Sequence, residues 1–76
     1  PVTCRHRIIA EVGENVKAKL LLTIRTMGIT AELTQERKSA KGTYVTYTFI
    51  VEHHSRHGLR SLLEAVGNVD GVRTVL

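Results

Sequence analysis

Alternation of apolar and polar side chains characterises the first segment, Cys4 to Gly13. Every second position from Cys4 to Val12 is mostly apolar, whereas the intervening positions are mostly charged. Because successive side chains of a strand point to opposite faces, this segment is predicted to be a strand with one buried and one wet face. Two residues break the alternation, since His6 falls on the apolar parity and Ile9 on the wet one.

Five further segments carry patterns that predict secondary structure. Apolar side chains recur at spacings of four and three within residues 14–28, which predicts a helix. Residues 29–37 alternate again and predict a second strand, whose charged side chains suit a sheet edge. Residues 44–52 are rich in β-branched and aromatic residues, which favours a central strand. Ser55 then fits the N-cap of a second helix, and residues 72–76 are predicted to form a short last strand.

The resulting order, β-α-β-β-α-β, is that of a ferredoxin-like α+β sandwich. Right-handed crossovers place the first and third strands in the centre of a four-stranded antiparallel sheet, with both helices on one face and the other face open. No linker, repeat or low-complexity stretch interrupts the 76 residues, so residues 1–76 are predicted to form one domain.

The segment SAKGTY, residues 39–44, has two possible interpretations. Its basic and glycine residues resemble a phosphate-binding loop, but such a loop needs a helix after it. Here a strand pattern stands on both sides, so a β-hairpin turn with Gly42 at positive φ is favoured.

Composition narrows the class of protein. The chain is 42% hydrophobic and 24% charged, as in ordinary globular domains, and no apolar run approaches the length of a membrane span. The single cysteine, Cys4, cannot form an internal disulfide, which fits a reducing cytoplasm. The net charge of +4 is spread along the chain and does not by itself indicate nucleic-acid binding. No spacing suggests a nucleophile with its base, so we expect neither an enzyme nor a bound cofactor.

The hairpin S-x-K-G-x-Y and the ending V-R-T-V-L, residues 72–76, together resemble the YbeD-like family of small uncharacterised bacterial proteins. The resemblance covers about Arg7 to Leu76. It implies a ferredoxin-like fold similar to ACT regulatory domains and a regulatory role linked to lipoate metabolism. The histidine-rich HHSRH and the basic first strand depart from the family pattern.

The segment HHSRH is a candidate metal site. His54 and His57 are three apart and could approach one ion together with His53 if this turn is helical. A zinc site needs three or four protein ligands, and we expect Cys4 and His6 to lie several residues from the strand end that carries His53. Exposed polar residues at a helix start are therefore the favoured interpretation.

The open sheet face is a second candidate, as a nucleic-acid surface. By parity it carries Arg5, Arg7, Tyr44, Thr46, Thr48 and Arg73. One aromatic residue is a poor stacking platform, and Glu32 and Glu36 at the edge would repel phosphates. Ile9, Ile50 and Val75 share this parity and predict a mildly apolar patch that would favour a homodimer.

The third candidate is the turn Gly13-Glu14-Asn15 before the first helix. ACT-like domains often bind small effectors at this place, where free helix N–H groups can bind a carboxylate. Simple helix capping is the alternative, because Glu14 would oppose an anion. The sequence therefore favours a non-enzymatic regulatory module acting through a protein partner or a small effector, with nucleic-acid binding and metal binding as alternatives.

Overall fold

The computed structural model describes residues 2–76, and its elements follow the predicted order. They are β1 (Val2–Glu11), α1 (Glu14–Thr26), β2 (Ala31–Lys38), β3 (Tyr44–His53), α2 (Arg56–Gly67) and β4 (Val72–Val75). The sheet is antiparallel throughout, in the order β2-β3-β1-β4, so β1 and β3 are central and β2 is an edge strand. This arrangement confirms the ferredoxin-like sandwich. Within residues 2–76, neither helix has the length and apolar character needed to cross a membrane.

The core lies between the two helices and one face of the sheet. Both central strands contribute alternate residues, as the period-two pattern predicts, and each helix contributes its apolar stripe. The buried apolar residues are Ile8, Ala10, Leu20, Ile24, Val45, Tyr47, Phe49, Val51, Leu62 and Val66.

The two central strands pair along their whole lengths. The register runs without interruption from Val2 opposite His53 to Glu11 opposite Tyr44. Even-numbered residues of β1 and odd-numbered residues of β3 therefore share the face covered by the helices. The beginning of β1 consequently lies beside the end of β3, which matters for the candidate sites.

A β-bulge in β2 reverses the side-chain parity of that strand. Thr34 is inserted relative to β3, and its hydroxyl donates to the carbonyl oxygen of Thr48 at 3.2 Å. An inserted residue shifts every later side chain to the other face. Glu36 therefore lies opposite Tyr47 on the helix-covered side, so its predicted place at the edge of the open face is wrong. Arg37 takes the open-face position instead.

A second irregularity affects β4. Val72 lies opposite Ala10, but Thr74 lies opposite Ile9, so Arg73 is the inserted residue. Val75 then faces the core opposite Ile8 and packs against it, and its predicted place on the open face is wrong.

Local hydrogen bonds form the predicted turn and cap. Ser39 N–H donates to the Tyr44 carbonyl oxygen at 2.8 Å, and Gly42 N–H donates to the Ser39 carbonyl oxygen at 2.9 Å. Gly42 has φ +72°, and a strand follows, so SAKGTY is a hairpin turn as predicted. At the start of α2, the Gly58 N–H donates to Ser55 Oγ at 3.0 Å, which confirms the N-cap.

Candidate functional site

The three histidines of HHSRH occupy different surroundings. His53 is the last residue of β3 and is only 7% exposed, on the helix-covered side of the sheet. His54 is exposed and lies 3.6 Å from the Glu52 carboxylate, and His57 is exposed in the first turn of α2. Among the described residues, the group of side chains close enough to share a metal ion includes His53 but neither His54 nor His57.

The partners of His53 are instead Cys4 and His6. The Sγ atom and one nitrogen of each imidazole all lie within 4.8 Å of one another. The Nε2 atoms of His6 and His53 are 2.9 Å apart, and the two rings meet edge to face at 82°. The expectation that Cys4 and His6 lie away from His53 is wrong, because the register places the start of β1 beside the end of β3. All three side chains share one face there, which we call the CHH cluster.

Electrostatics favour the neutral form of the His53 imidazole in the CHH cluster. Burial lowers the pKa of His53, and the nearby His6 and His54 lower it further. The 2.9 Å contact requires one Nε2–H to donate while the other Nε2 accepts through its lone pair. The two Nε2 atoms therefore face each other, and a free thiol, that of Cys4, belongs to the same group of side chains.

A cavity of about 350 Å³ adjoins the CHH cluster. Its lining includes Cys4 and His53 of the CHH cluster, together with Ser55, Arg56 and Leu59 at the start of α2. A small molecule or water can thus reach the cluster from one side.

The sequence carries a signal for the CHH cluster, but an incomplete one. Cys4 and His6 are two apart on the apolar parity of a strand, so their side chains must share a face. What the sequence does not give is the register that brings His53 to them.

The predicted effector turn lies between β1 and α1. Gly13 is the N-cap of α1, and no side chain accepts a hydrogen bond from the first turn. Glu14 provides a carboxylate in that turn, and Asn15 is exposed. The structure thus places all three residues together at one end of β1.

A cleft of about 220 Å³ opens beside this turn, which we call the corner cleft. Its lining combines apolar and charged side chains: Val12, Gly13, Glu14, Lys17, Glu36, Lys38, Val45 and Tyr47. Lys17 Nζ and Glu36 Oε1 are 2.8 Å apart, and this hydrogen bond and the Glu36 charge raise the pKa of Lys17. Burial raises the pKa of Tyr47, with a further contribution from the Glu36 charge.

The open sheet face is polar over its middle. A depression of about 500 Å³ is lined by Arg5, Arg7, Thr34, Gln35, Thr48 and Ile50. Arg7 lies opposite Thr48, and this pair separates Ile9 from Ile50, so the predicted apolar patch is not continuous.

The other residues predicted for this face differ in exposure. Tyr44 is 38% exposed and Thr46 is half-buried. Arg73 forms an ion pair with Glu11, in which its Nη2 atom lies 3.1 Å from Glu11 Oε2. Arg37, which the sequence did not assign to this face, lies opposite Thr46.

Solved structures with the same architecture place the chain in a class. The solution structure of protein HP0495 from H. pylori is similar with a TM-score of 0.86, over 100% of this chain and 81% of that one, at 14% identity. The ACT domain of GTP pyrophosphokinase from Chlorobium tepidum gives 0.74, over 97% and 94%, at 19% identity. Acylphosphatase from Bacillus subtilis gives 0.58, over 99% and 81%, at 16% identity. Identities this low establish the fold alone, which is the ferredoxin-like class with an ACT-like arrangement.

The family follows from the sequence match. The model described as "Protein of unknown function (DUF493)" matches residues 1–76, and the chain belongs to this family. The match confirms the resemblance to small uncharacterised bacterial proteins. A comparison with curated proteins gave no match. The family description names no activity, so function has to be argued from the sites.

Proposed function

We propose that this chain is a non-enzymatic regulatory module that binds a small zwitterionic effector in the corner cleft. The observation that carries this proposal is the cleft itself, which has carboxylates and ammonium groups around an apolar floor. The ACT-like fold supports a regulatory role by analogy, and the cleft lies at the turn where the resemblance predicts an effector.

The charges of the corner cleft define the effector. Lys17 and Glu36 largely neutralise each other at 2.8 Å, which leaves Lys38 and Glu14 as the groups available to a ligand. Lys38 would pair with a carboxylate and Glu14 with an ammonium group. The uncapped N–H groups of the first turn of α1 add donors for the carboxylate.

The size of the cleft limits the effector further. At about 220 Å³ it lies below the range of about 300–1,000 Å³ typical of pockets for drug-sized ligands. Val45 and Tyr47 supply an apolar floor for a short side chain. A free amino acid with a small or medium side chain fits these requirements.

Effector binding would act on the edge of the sheet. Lys38 ends β2, while Glu14 begins α1, so a ligand that bridges them would tie an edge strand to a helix. Edge strands are common sites of protein contact because their backbone groups are unpaired. A protein partner at β2 would then respond to the effector.

The test is a set of proton–nitrogen correlation spectra recorded with each of the twenty protein amino acids. Lipoate, a carboxylate without an ammonium group, serves as the comparison ligand. We expect at least one amino acid to shift the amides of Gly13, Glu14 and Lys38, and lipoate to bind more weakly. Lys38→Ala should weaken binding about tenfold or more, whereas Lys41→Ala in the hairpin should not. The proposal fails if no amino acid shifts these amides, or if both variants bind alike.

One observation favours a second function, nucleic-acid binding on the open face. The bulge in β2 removes Glu36 from this face and adds Arg37 to the side that carries Arg5 and Arg7. Such a basic surface predicts binding that weakens as salt rises. Fluorescence anisotropy with single-stranded RNA should show a smaller salt slope for Arg5→Ala/Arg7→Ala than for Arg25→Ala on α1. Equal slopes would remove this alternative.

A further inference from the structure

We propose that Cys4, His6 and His53 form a zinc-binding site whose fourth coordination position opens into the adjoining 350 Å³ cavity. The site is independent of the corner cleft, since it lies at the opposite end of the β1–β3 pair.

The distances suit a tetrahedral ion. Zinc–sulfur bonds of about 2.3 Å and zinc–nitrogen bonds of about 2.0–2.1 Å place neighbouring ligand atoms about 3.3–3.6 Å apart. The three ligand atoms of the CHH cluster already lie within 4.8 Å of one another. The two Nε2 atoms, now 2.9 Å apart, need to separate by about 0.4–0.5 Å to admit the ion. We expect rotations of the imidazole and Cys4 side chains to bring the three ligand atoms to this spacing.

The donor atoms select the metal. One thiolate and two imidazoles suit zinc, whereas magnesium and calcium require oxygen ligands that the CHH cluster does not offer. Binding releases the Cys4 thiol proton to solvent. The imidazole that donates from Nε2 moves its proton to Nδ1, so both Nε2 lone pairs face the ion.

The position of the site defines what an ion would do. Cys4 and His6 belong to β1, while His53 ends β3 two residues before the Ser55 cap of α2. An ion held by all three would fix the start of β1 to the corner between β3 and α2. Its fourth position faces the cavity, where water or a small anionic ligand can bind beside Arg56.

The primary experiment is calorimetric titration of zinc into chelator-treated protein. We expect one ion per chain. Cys4→Ser and His6→Gln should each weaken binding by more than about tenfold, because each removes a ligand. His57→Gln is the matched control, since this histidine is exposed and outside the CHH cluster, and it should bind as the wild type does.

Two further measurements keep the test decisive if a variant folds poorly. Cobalt added to the wild type should produce thiolate-to-metal charge-transfer absorption that Cys4→Ser lacks. Zinc should also protect Cys4 of the wild type from iodoacetamide, a measurement that needs no variant. Absence of zinc binding overturns the proposal. Binding that survives Cys4→Ser and His6→Gln but is lost in His57→Gln also overturns it, because it identifies adventitious surface histidines.

Discussion

Gly71→Ala should be among the most destabilising single-methyl changes in this protein. Gly71 has φ +96°, and a Cβ atom added there would lie 2.6 Å from Val16 Cγ2 and 3.2 Å from Val16 Cγ1. Ordinary carbon–carbon contacts are about 3.5–4.0 Å, so something must move. Val16 cannot simply rotate away, because a β-branched side chain in a helix has one strongly preferred rotamer.

Two costs add at this position. An L-residue held at positive φ costs about 1–2 kcal/mol, and overpacking a well-filled interface costs about 1–3 kcal/mol. The turn cannot relax freely either, because the Gly71 carbonyl oxygen accepts from Glu11 N–H at 2.8 Å and so joins the turn before β4 to β1. We therefore expect a loss of about 2–5 kcal/mol. The total stability expected for 76 residues is only about 4–11 kcal/mol.

The assay is urea unfolding followed by circular dichroism, with Gly67→Ala as the matched control. Gly67 ends α2, and a Cβ atom there meets nothing within 4 Å, so this variant should be neutral or slightly stabilising. The double variant Val16→Ala/Gly71→Ala should be about 1–2 kcal/mol more stable than the sum of the two single effects predicts. The reason is that Val16→Ala removes the clash with the new Cβ atom, although the backbone strain at residue 71 remains. A free energy of unfolding for Gly71→Ala within about 0.5 kcal/mol of the Gly67→Ala value would refute the argument.

Other predictions concern the core, the cap and alkaline pH. Leu20→Ala should cost about 2–5 kcal/mol by urea unfolding because Leu20 is fully buried, whereas Leu22→Ala, at a 62% exposed position, should cost far less. Ser55→Ala should cost about 1 kcal/mol because the Gly58 N–H loses its acceptor; an unchanged midpoint would contradict the cap. Burial raises the pKa of Tyr47 above 10.0, so the native state keeps a proton that the unfolded chain loses. Stability should therefore fall as pH rises above that value, and Tyr47→Phe should reduce this slope in unfolding measured across alkaline pH.

Local sequence predicts the helices and strands of this fold better than it predicts the register in which the strands pair. Alternation and helical stripes predict all six elements, and the cap at Ser55 and the turn at Gly42 follow from the chemistry of single residues. The bulge at Thr34 is different, because the segment AELTQERK is polar on both parities beyond Leu33. Because neither face of this part of β2 is apolar, the inserted residue does not change the apolar–polar pattern, and the sequence does not reveal the bulge.

The same reasoning explains which site residues the sequence could and could not reveal. Glycine and charge at the turn before α1 are visible locally, so Gly13 and Glu14 could be singled out. The CHH cluster depends on the pairing of Val2 with His53, which is a relation between segments about fifty residues apart. Hydrophobic parity shows which face each side chain shares but not how the strands are aligned. The sequence-based metal candidate was therefore His53 with its neighbours His54 and His57, whereas in the structure His53 lies beside Cys4 and His6.

The two proposed sites should act independently, because the central strand pair separates them. The CHH cluster lies towards the Val2–His53 end and the corner cleft near the Glu11–Tyr44 end. At about 3.4 Å per residue, the distance from His6 in β1 to Val12 just after it is about 20 Å. No side chain belongs to both sites, and the pairing of β1 with β3 is continuous between them. We therefore expect the central strands to keep one arrangement whether or not either ligand is bound, so that binding at one site does not change affinity at the other. Cys4→Ser should thus leave effector affinity unchanged, and Lys38→Ala should leave zinc affinity unchanged, within about twofold by calorimetry. A change of tenfold or more in either would show that an element outside the central pair, such as α1 or α2, links the two ends of the sheet.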